Sequence, residues 1–327
     1  MELTLEGPGT RRECENLEWL EEGKHPLDWN GPTGRIFARF GEEDLDRSII
    51  DHFEGVVRRH SDRIAIADSN ASLSFGQLWD GLSGLAAAIT AETQRGELIG
   101  ILLPADPMFP LAMLACLAAG RPFVALDTHY PRDWLEQVLQ DARPNLLIAC
   151  EQSLEALKPG PATTRIINLS RLPERAGSDW RPAESGLDEP ACVLFTSGST
   201  GRPKGIVNSQ RNLLQRVAQS INAAHINAED KFLTLAPLCT IVGVRDITTA
   251  LLAGASIHLL DAQRTGARHT ECPPLGDHHD PIRISGSLAI NSAVRSEAGG
   301  RGPSTCSRGW RHHAVERHRA ATHLAYP

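Results

Sequence analysis

One stretch of the chain gathers the groups that a polyphosphate needs. Thr196, Ser197, Ser199 and Thr200 supply hydroxyls, Gly198, Gly201 and Gly205 are glycines, and Lys204 adds a cation. Glycine lets a backbone turn tightly and approach a ligand closely. Consecutive amides in such a turn make a concave anion site. The hydroxyls add neutral donors and the lysine a compact point charge. Together they suit the phosphates of a nucleotide. The order is not that of a Walker loop, which has glycine directly before the lysine; here Pro203 precedes Lys204 and Gly205 follows it. A flexible Ser/Gly surface loop is the competing reading, and it gives no reason for a buried strand before the loop or a lysine at its end.

That strand is the apolar run Ala191–Phe195. Elements of alternating type come before it. Apolar residues Ile49, Ile50, Phe53, Val56 and Val57 share one face of a helix beginning near Ser48. Ile64–Ala67 and Leu73–Phe75 read as strands around a turn at Asp68-Ser69-Asn70, and Gln77–Thr93 as a helix. The series continues with strand 98–103, helix 109–119 stopping at Gly120, strand 123–126, helix 131–141 and strand 145–150. Residues 151–189 are polar and irregular except for a possible strand at 165–169. Beyond the loop come a short strand at Ile206-Val207, helix 212–223, strand 232–235, helix 246–253 and strand 256–260. Alternation of this kind predicts an α/β fold of layered parallel sheets with flanking helices.

The residues also carry a resemblance. Thr196–Gly205 resembles the phosphate-loop core motif of adenylate-forming enzymes, the superfamily of acyl-CoA synthetases, luciferases and nonribosomal peptide synthetase adenylation domains. Leu73–Leu78 resembles the first core motif, Leu117–Pro131 the second in its peptide-synthetase form, and Ala250–Ala255 the end of the fourth. The resemblance spans residues 30–262 in the correct order. It implies the large N-terminal domain of that superfamily, here truncated. It implies ATP and Mg2+ as cofactors, a carboxylic acid as substrate, and an acyl-adenylate that passes to the thiol of a phosphopantetheine carrier protein or coenzyme A. By the same resemblance Thr196, Ser197, Gly198, Ser199, Thr200, Gly201 and Lys204 bind the nucleotide, with Thr200 and Lys204 the catalytic pair. No metal-ligating residue is assigned.

Amino-acid-activating members usually place an aspartate in the fourth motif against the substrate's ammonium. Counting back from Ala250-Leu251-Leu252 puts Ile241 there, which disfavours an α-amino acid. Asp246 reads as an exposed helix residue or the partner of a nearby basic group. Asp127 reads as a cap, Cys239 as a buried thiol, and His258 as packing. The pairs His278-His279 and His312-His313 read as adventitious binders.

A net charge of −7 argues against nucleic-acid binding, and no apolar run reaches membrane-span length. The acidic N-terminus has no signal-peptide pattern, and seven scattered cysteines suit buried thiols in a reducing cytoplasm. Residues 1–45 read as an irregular leader and 46–263 as a partial adenylate-forming domain. From Arg264 to Pro327 there are nine arginines, seven histidines and no lysine, so this tail differs in kind from what precedes it. It reads as disordered, or as the product of a reading frame left near residues 264–272. No lysine follows Lys231, so the family's C-terminal catalytic lysine has no counterpart. A catalytically dead truncated fragment that binds nucleotide or protein weakly is the alternative to an active ligase.

Overall fold

The structure is a computed structural model that describes residues 36–157, 165–171, 173–197, 202–234, 236–259 and 282–285. Local sequence sets the helix starts. Helix α1 (Ile49–His60) opens on a capping box in which Asp51 N–H donates to Ser48 Oγ at 3.0 Å and Ser48 N–H donates to Asp51 Oδ2 at 3.2 Å. Helices α2 (Phe75–Glu92) and α6 (Gln210–Ala224) open in the same way, Ser74 with Gln77 and Ser209 with Asn212. Helix α3 (Met108–Ala118) is apolar all round, and every residue but Met108 is buried, as expected of a central helix. Gly120 follows it at φ +67°, a conformation that favours glycine. The remaining helices are α4 (Arg132–Ala142), α5 (Glu151–Ala156) and α7 (Ile241–Ala253).

The strands are β1 (Ile64–Ala67), β2 (Ser72–Ser74), β3 (Ile99–Leu102), β4 (Phe123–Leu126), β5 (Leu146–Ala149), β6 (Arg165–Asn168), β7 (Pro190–Ser197), β8 (Pro203–Ser209), β9 (Lys231–Thr234), β10 (Ser256–Leu259) and β11 (Ile282–Ser285). They form two sheets. One has the order β6-β5-β3-β4-β7-β8 and is parallel except for β8 at its edge. The other has the order β11-β9-β10-β1-β2 and is parallel except for β2.

One apolar cluster joins the two sheets. It includes Ile66, Phe232 and Ile257 from the five-stranded sheet, Ile99, Ile101 and Phe123 from the six-stranded one, and residues of α1, α2, α3, α6 and α7. The opposite face of the six-stranded sheet has its own core, where Leu102, Val124, Leu126 and Leu147 meet Leu135, Val138 and Leu139 of α4. The layered α/β architecture expected from the alternation is therefore the one observed.

Polar groups fix the layers at a few points. Arg121 is buried and donates from Nε to Thr93 Oγ1 (3.1 Å), from Nη2 to Thr93 O (2.8 Å) and from Nη1 to Ala119 O (2.7 Å). It thereby satisfies carbonyls at the C-terminal caps of both α2 and α3, where a cation also suits the helix dipoles. Lysine keeps the charge but not the planar fork. Arg121→Lys is expected to lower unfolding free energy by about 1.5–3 kcal/mol, the range for hydrogen bonds to charged groups. Urea denaturation checks this, and an unshifted midpoint would show the fork idle. The stretch after β6 lies directly on α2. Ala176 N–H donates to Ser83 Oγ at 3.1 Å, and Trp79 and Trp180 meet edge to face at 5.9 Å.

Several elements differ from the sequence expectations. Helix α7 starts at Ile241 rather than Asp246, because Thr240 caps it: Gly243 N–H donates to Thr240 Oγ1 at 3.2 Å. A Cβ on Gly243 would lie 2.5 Å from Pro237 O, so glycine is what lets this turn close. Strand β8 begins at Pro203, so Lys204 lies in a strand and not in the loop. Helix α5 and strand β11 stand in segments expected to be irregular. Packing also reaches back to Phe40, whose backbone exchanges two 2.9 Å hydrogen bonds with the Asn222 amide. Residues 1–35 and the two histidine pairs lie outside the described residues. Among the described residues the cysteines Cys116, Cys150, Cys192 and Cys239 are free thiols, and no helix is long and apolar enough to cross a membrane.

Candidate active site

Strands β7 and β8 form an antiparallel hairpin whose stem pairs Phe195 with Gly205, Thr196 with Lys204 and Ser197 with Pro203. Pro203 is tolerated because it is the first residue of an edge strand. A Cβ on Gly205 would sit 3.0 Å from Phe195 Cζ and 3.1 Å from Val193 Cγ1, so the glycine makes room for the side chains below the stem. Thr196 and Lys204 are both exposed. Neither strand contains an acid that could neutralise Lys204. Of the residues assigned to the phosphates, the structure brings Thr196 and Lys204 face to face across the ladder and sets Ser197 as the last residue of β7. Gly198, Ser199, Thr200 and Gly201 lie outside the described residues.

The hairpin sits beside β4, which pairs in parallel with β7 through Phe123–Cys192 and Val124–Val193. The C-terminal ends of β4 and β7 therefore open on the same edge. Ligands of parallel α/β sheets bind outside such carboxyl ends. At this edge Asp127 follows β4. Its Oδ1 accepts the His129 backbone N–H at 2.9 Å and lies 2.8 Å from His129 Nδ1. Its Oδ2 lies 4.0 Å from Cys239 Sγ, on the connection between β9 and α7. Burial first, and then the Asp127 charge, push the Cys239 thiol up to about 12, against a smaller opposing effect of the Tyr130 hydroxyl. Cys239 is therefore a neutral, inert thiol near neutral pH, as its apolar setting suggests.

The first turn of α7 contains no acid. Ile241 is its first residue and packs, half-buried, on the main core. Asp246 is not exposed as one reading expected: it is 3% exposed, and Arg245 donates from Nη2 to its Oδ1 at 2.8 Å. His258 is half-buried in β10, and burial followed by the charge of Lys231 lowers its affinity for a proton. The Asp127–Cys239 contact had no sequence signal, since its partners are 112 positions apart and follow strands of different sheets.

A profile of the AMP-binding enzyme family matches residues 53–272. The chain belongs to that family. Phenyloxazoline synthase MbtB of Mycobacterium tuberculosis is 33% identical over 216 residues, which are 65% of this chain and 15% of that protein. A dimodular nonribosomal peptide synthase of Bacillus subtilis is 26% identical over 231 residues, 68% of this chain and 10% of that one. The AMP-binding chain thus spans a small part of the length of these relatives. An AMPPNP-bound crystal form of the nonribosomal peptide synthetase FmoA3 shares the fold, with a TM-score of 0.59 at 23% identity over 64% of this chain and 22% of that one.

Proposed function

We propose that this AMP-binding chain uses ATP to activate a carboxylic acid. The acid's oxygen attacks the α-phosphorus, the bond to the β-phosphate oxygen breaks, and acyl-adenylate and pyrophosphate result. The acyl group then passes to the thiol of a phosphopantetheine carrier protein or coenzyme A. The observation that carries this reading is the hairpin stem, with Lys204 opposite Thr196 at the carboxyl edge of β4 and β7 and a Gly/Ser/Thr loop between them.

The site's contribution to such a step is positioning and charge stabilisation. Lys204 is aimed outward on a strand without acids, so its ammonium is available to the β- and γ-phosphates. Thr196, Ser197, Gly198, Ser199, Thr200 and Gly201 add hydroxyl and amide donors, whose bonds to a charged acceptor are about twice as strong as neutral ones. Thr200 and Lys204 act on the departing pyrophosphate. This donor set fits a polyphosphate. It offers no anionic cage for Mg2+: among the described residues no three His, Cys, Asp or Glu side chains cluster as metal ligands. The metal fits as an ion carried on the triphosphate, where it neutralises phosphate charge. The acid is one without an α-ammonium group. The first turn of α7, which begins at Ile241, supplies no acid of its own to pair with an ammonium, and unpaired buried charge is costly.

ATP–pyrophosphate exchange with a panel of acids tests the proposal. Exchange is expected with an acid lacking the α-amine, and Thr200→Ala is expected to lower it by about 100-fold. Exchange that is unchanged in Thr200→Ala would remove the loop from the mechanism. A second reading is a chain that binds nucleotide without turning it over, since the donors of the hairpin and its loop address phosphates and none of them addresses the acid. Nucleotide binding in calorimetry without exchange for any acid would select it.

A further inference from the structure

We propose that Cys239 and Asp127 form a clasp that fixes the first turn of α7 against the end of β4, which makes Cys239 a positioning residue for the carboxyl edge where the phosphate hairpin opens. The partners come from different layers. Asp127 follows β4 of the six-stranded sheet, and Cys239 precedes α7 on the connection from β9 of the five-stranded sheet. Their contact, Sγ to Oδ2 at 4.0 Å, crosses between the two.

The carboxylate is held in one orientation. Its other oxygen takes the His129 N–H at 2.9 Å and faces His129 Nδ1 at 2.8 Å, so rotation would give up both. The Asp127 side chain is 20% exposed and Cys239 6% exposed, so little water competes for the thiol proton. Close by in sequence, the Tyr130 ring stacks on Trp134 at 4.2 Å. On the α7 side, Thr240 Oγ1 donates to Pro237 O at 2.8 Å and accepts from Gly243, tying Cys239 rigidly to the helix start. A carboxylate near a helix N-terminus is itself favourable. The charged and titratable groups facing the thiol are thus Asp127 and Tyr130, with His129 behind Asp127. The clasp stands on geometry alone, whereas its value to the reaction rests on the functional reading given above.

The test is the pH dependence of iodoacetamide labelling at Cys239 in the full chain, read by peptide mass spectrometry. Only the thiolate reacts, so removing a neighbouring negative charge lowers the pH at which labelling sets in. Asp127→Asn is expected to speed Cys239 labelling at pH 8 at least threefold. Cys192, which burial alone pushes up to about 12, is the internal control and is expected not to change. Coincident Cys239 profiles in the two proteins would overturn the clasp, as would equal acceleration of Cys239 and Cys192, which reports general loosening. Should Asp127→Asn not fold, Cys239→Ala provides the second measurement. Amide hydrogen exchange in residues 238–243 is expected to rise about tenfold relative to the β7 peptide, and unchanged exchange there would overturn the proposal. A native chain inactive with every acid would count against the functional reading only, since neither measurement involves turnover.

Discussion

Lys204→Ala is expected to lower ATP–pyrophosphate exchange by about 100- to 1000-fold, the loss typical of removing one group that stabilises developing charge. Stability should hardly change. The side chain is exposed on an edge strand, and the hairpin is set by its neighbours: Pro203 at the strand start and Gly205 over Phe195. Unaltered thermal melting with lost exchange would therefore separate chemistry from folding. Lys204→Arg keeps the charge, but its planar fork does not reproduce a compact ammonium, so partial recovery is expected. Full exchange in Lys204→Ala would place the phosphates elsewhere.

A large stability effect is also expected at Gly84. In a helix interior, Gly→Ala ordinarily gains about 1 kcal/mol. Here the added Cβ would sit 1.8 Å from the carbonyl oxygen of Glu174, and that obstacle is backbone, which cannot swing aside as a side chain can. The overlying segment has to lift. Lifting it breaks the Ala176–Ser83 hydrogen bond and separates Trp180 from Trp79. Overpacking costs about 1–3 kcal/mol and the hydrogen bond about 1 kcal/mol, which together outweigh the helix gain. Gly84→Ala should thus destabilise by about 2 kcal/mol, read from the urea midpoint. A neutral or stabilised variant would show that residues 173–182 are not seated on α2.

What could be read from the sequence follows from where the information is local. Strands β1 and β4 match their expected spans residue for residue, because Ile64-Ala65-Ile66-Ala67 and Phe123-Val124-Ala125-Leu126 are short apolar runs bounded by turn residues. The α2 start was blurred, since Phe75 looks like strand until the Ser74–Gln77 capping box is counted. The first turn of α7 was missed for the opposite reason. Ile241-Val242-Gly243-Val244 is rich in β-branched residues and contains a glycine, a poor helix start by propensity, and it is helical because Thr240 and the packing of Gly243 on Pro237 hold it so. Strand β8 was legible only at Ile206-Val207; Pro203-Lys204-Gly205 became strand by pairing with β7. Strand β11 carries only four residues, in a segment without periodic patterning, and it takes its structure from β9. At the site, the donor chemistry of the loop could be read directly, whereas the link from Asp127 to Cys239 is a tertiary fact with no periodic trace.

The pairing of β1 with β10, Ile66 beside Ile257, has a consequence for biosynthesis. Strand β1 is completed by one that emerges about 190 residues later, which at translation speeds of about 5–20 residues per second means a wait of roughly 10–40 s. Throughout that interval the nascent β1–β2 pair lacks its parallel neighbour and the cover of α7. Ribosome-bound intermediates of this chain should therefore depend on chaperones until the strand at Ser256–Leu259 has left the exit tunnel.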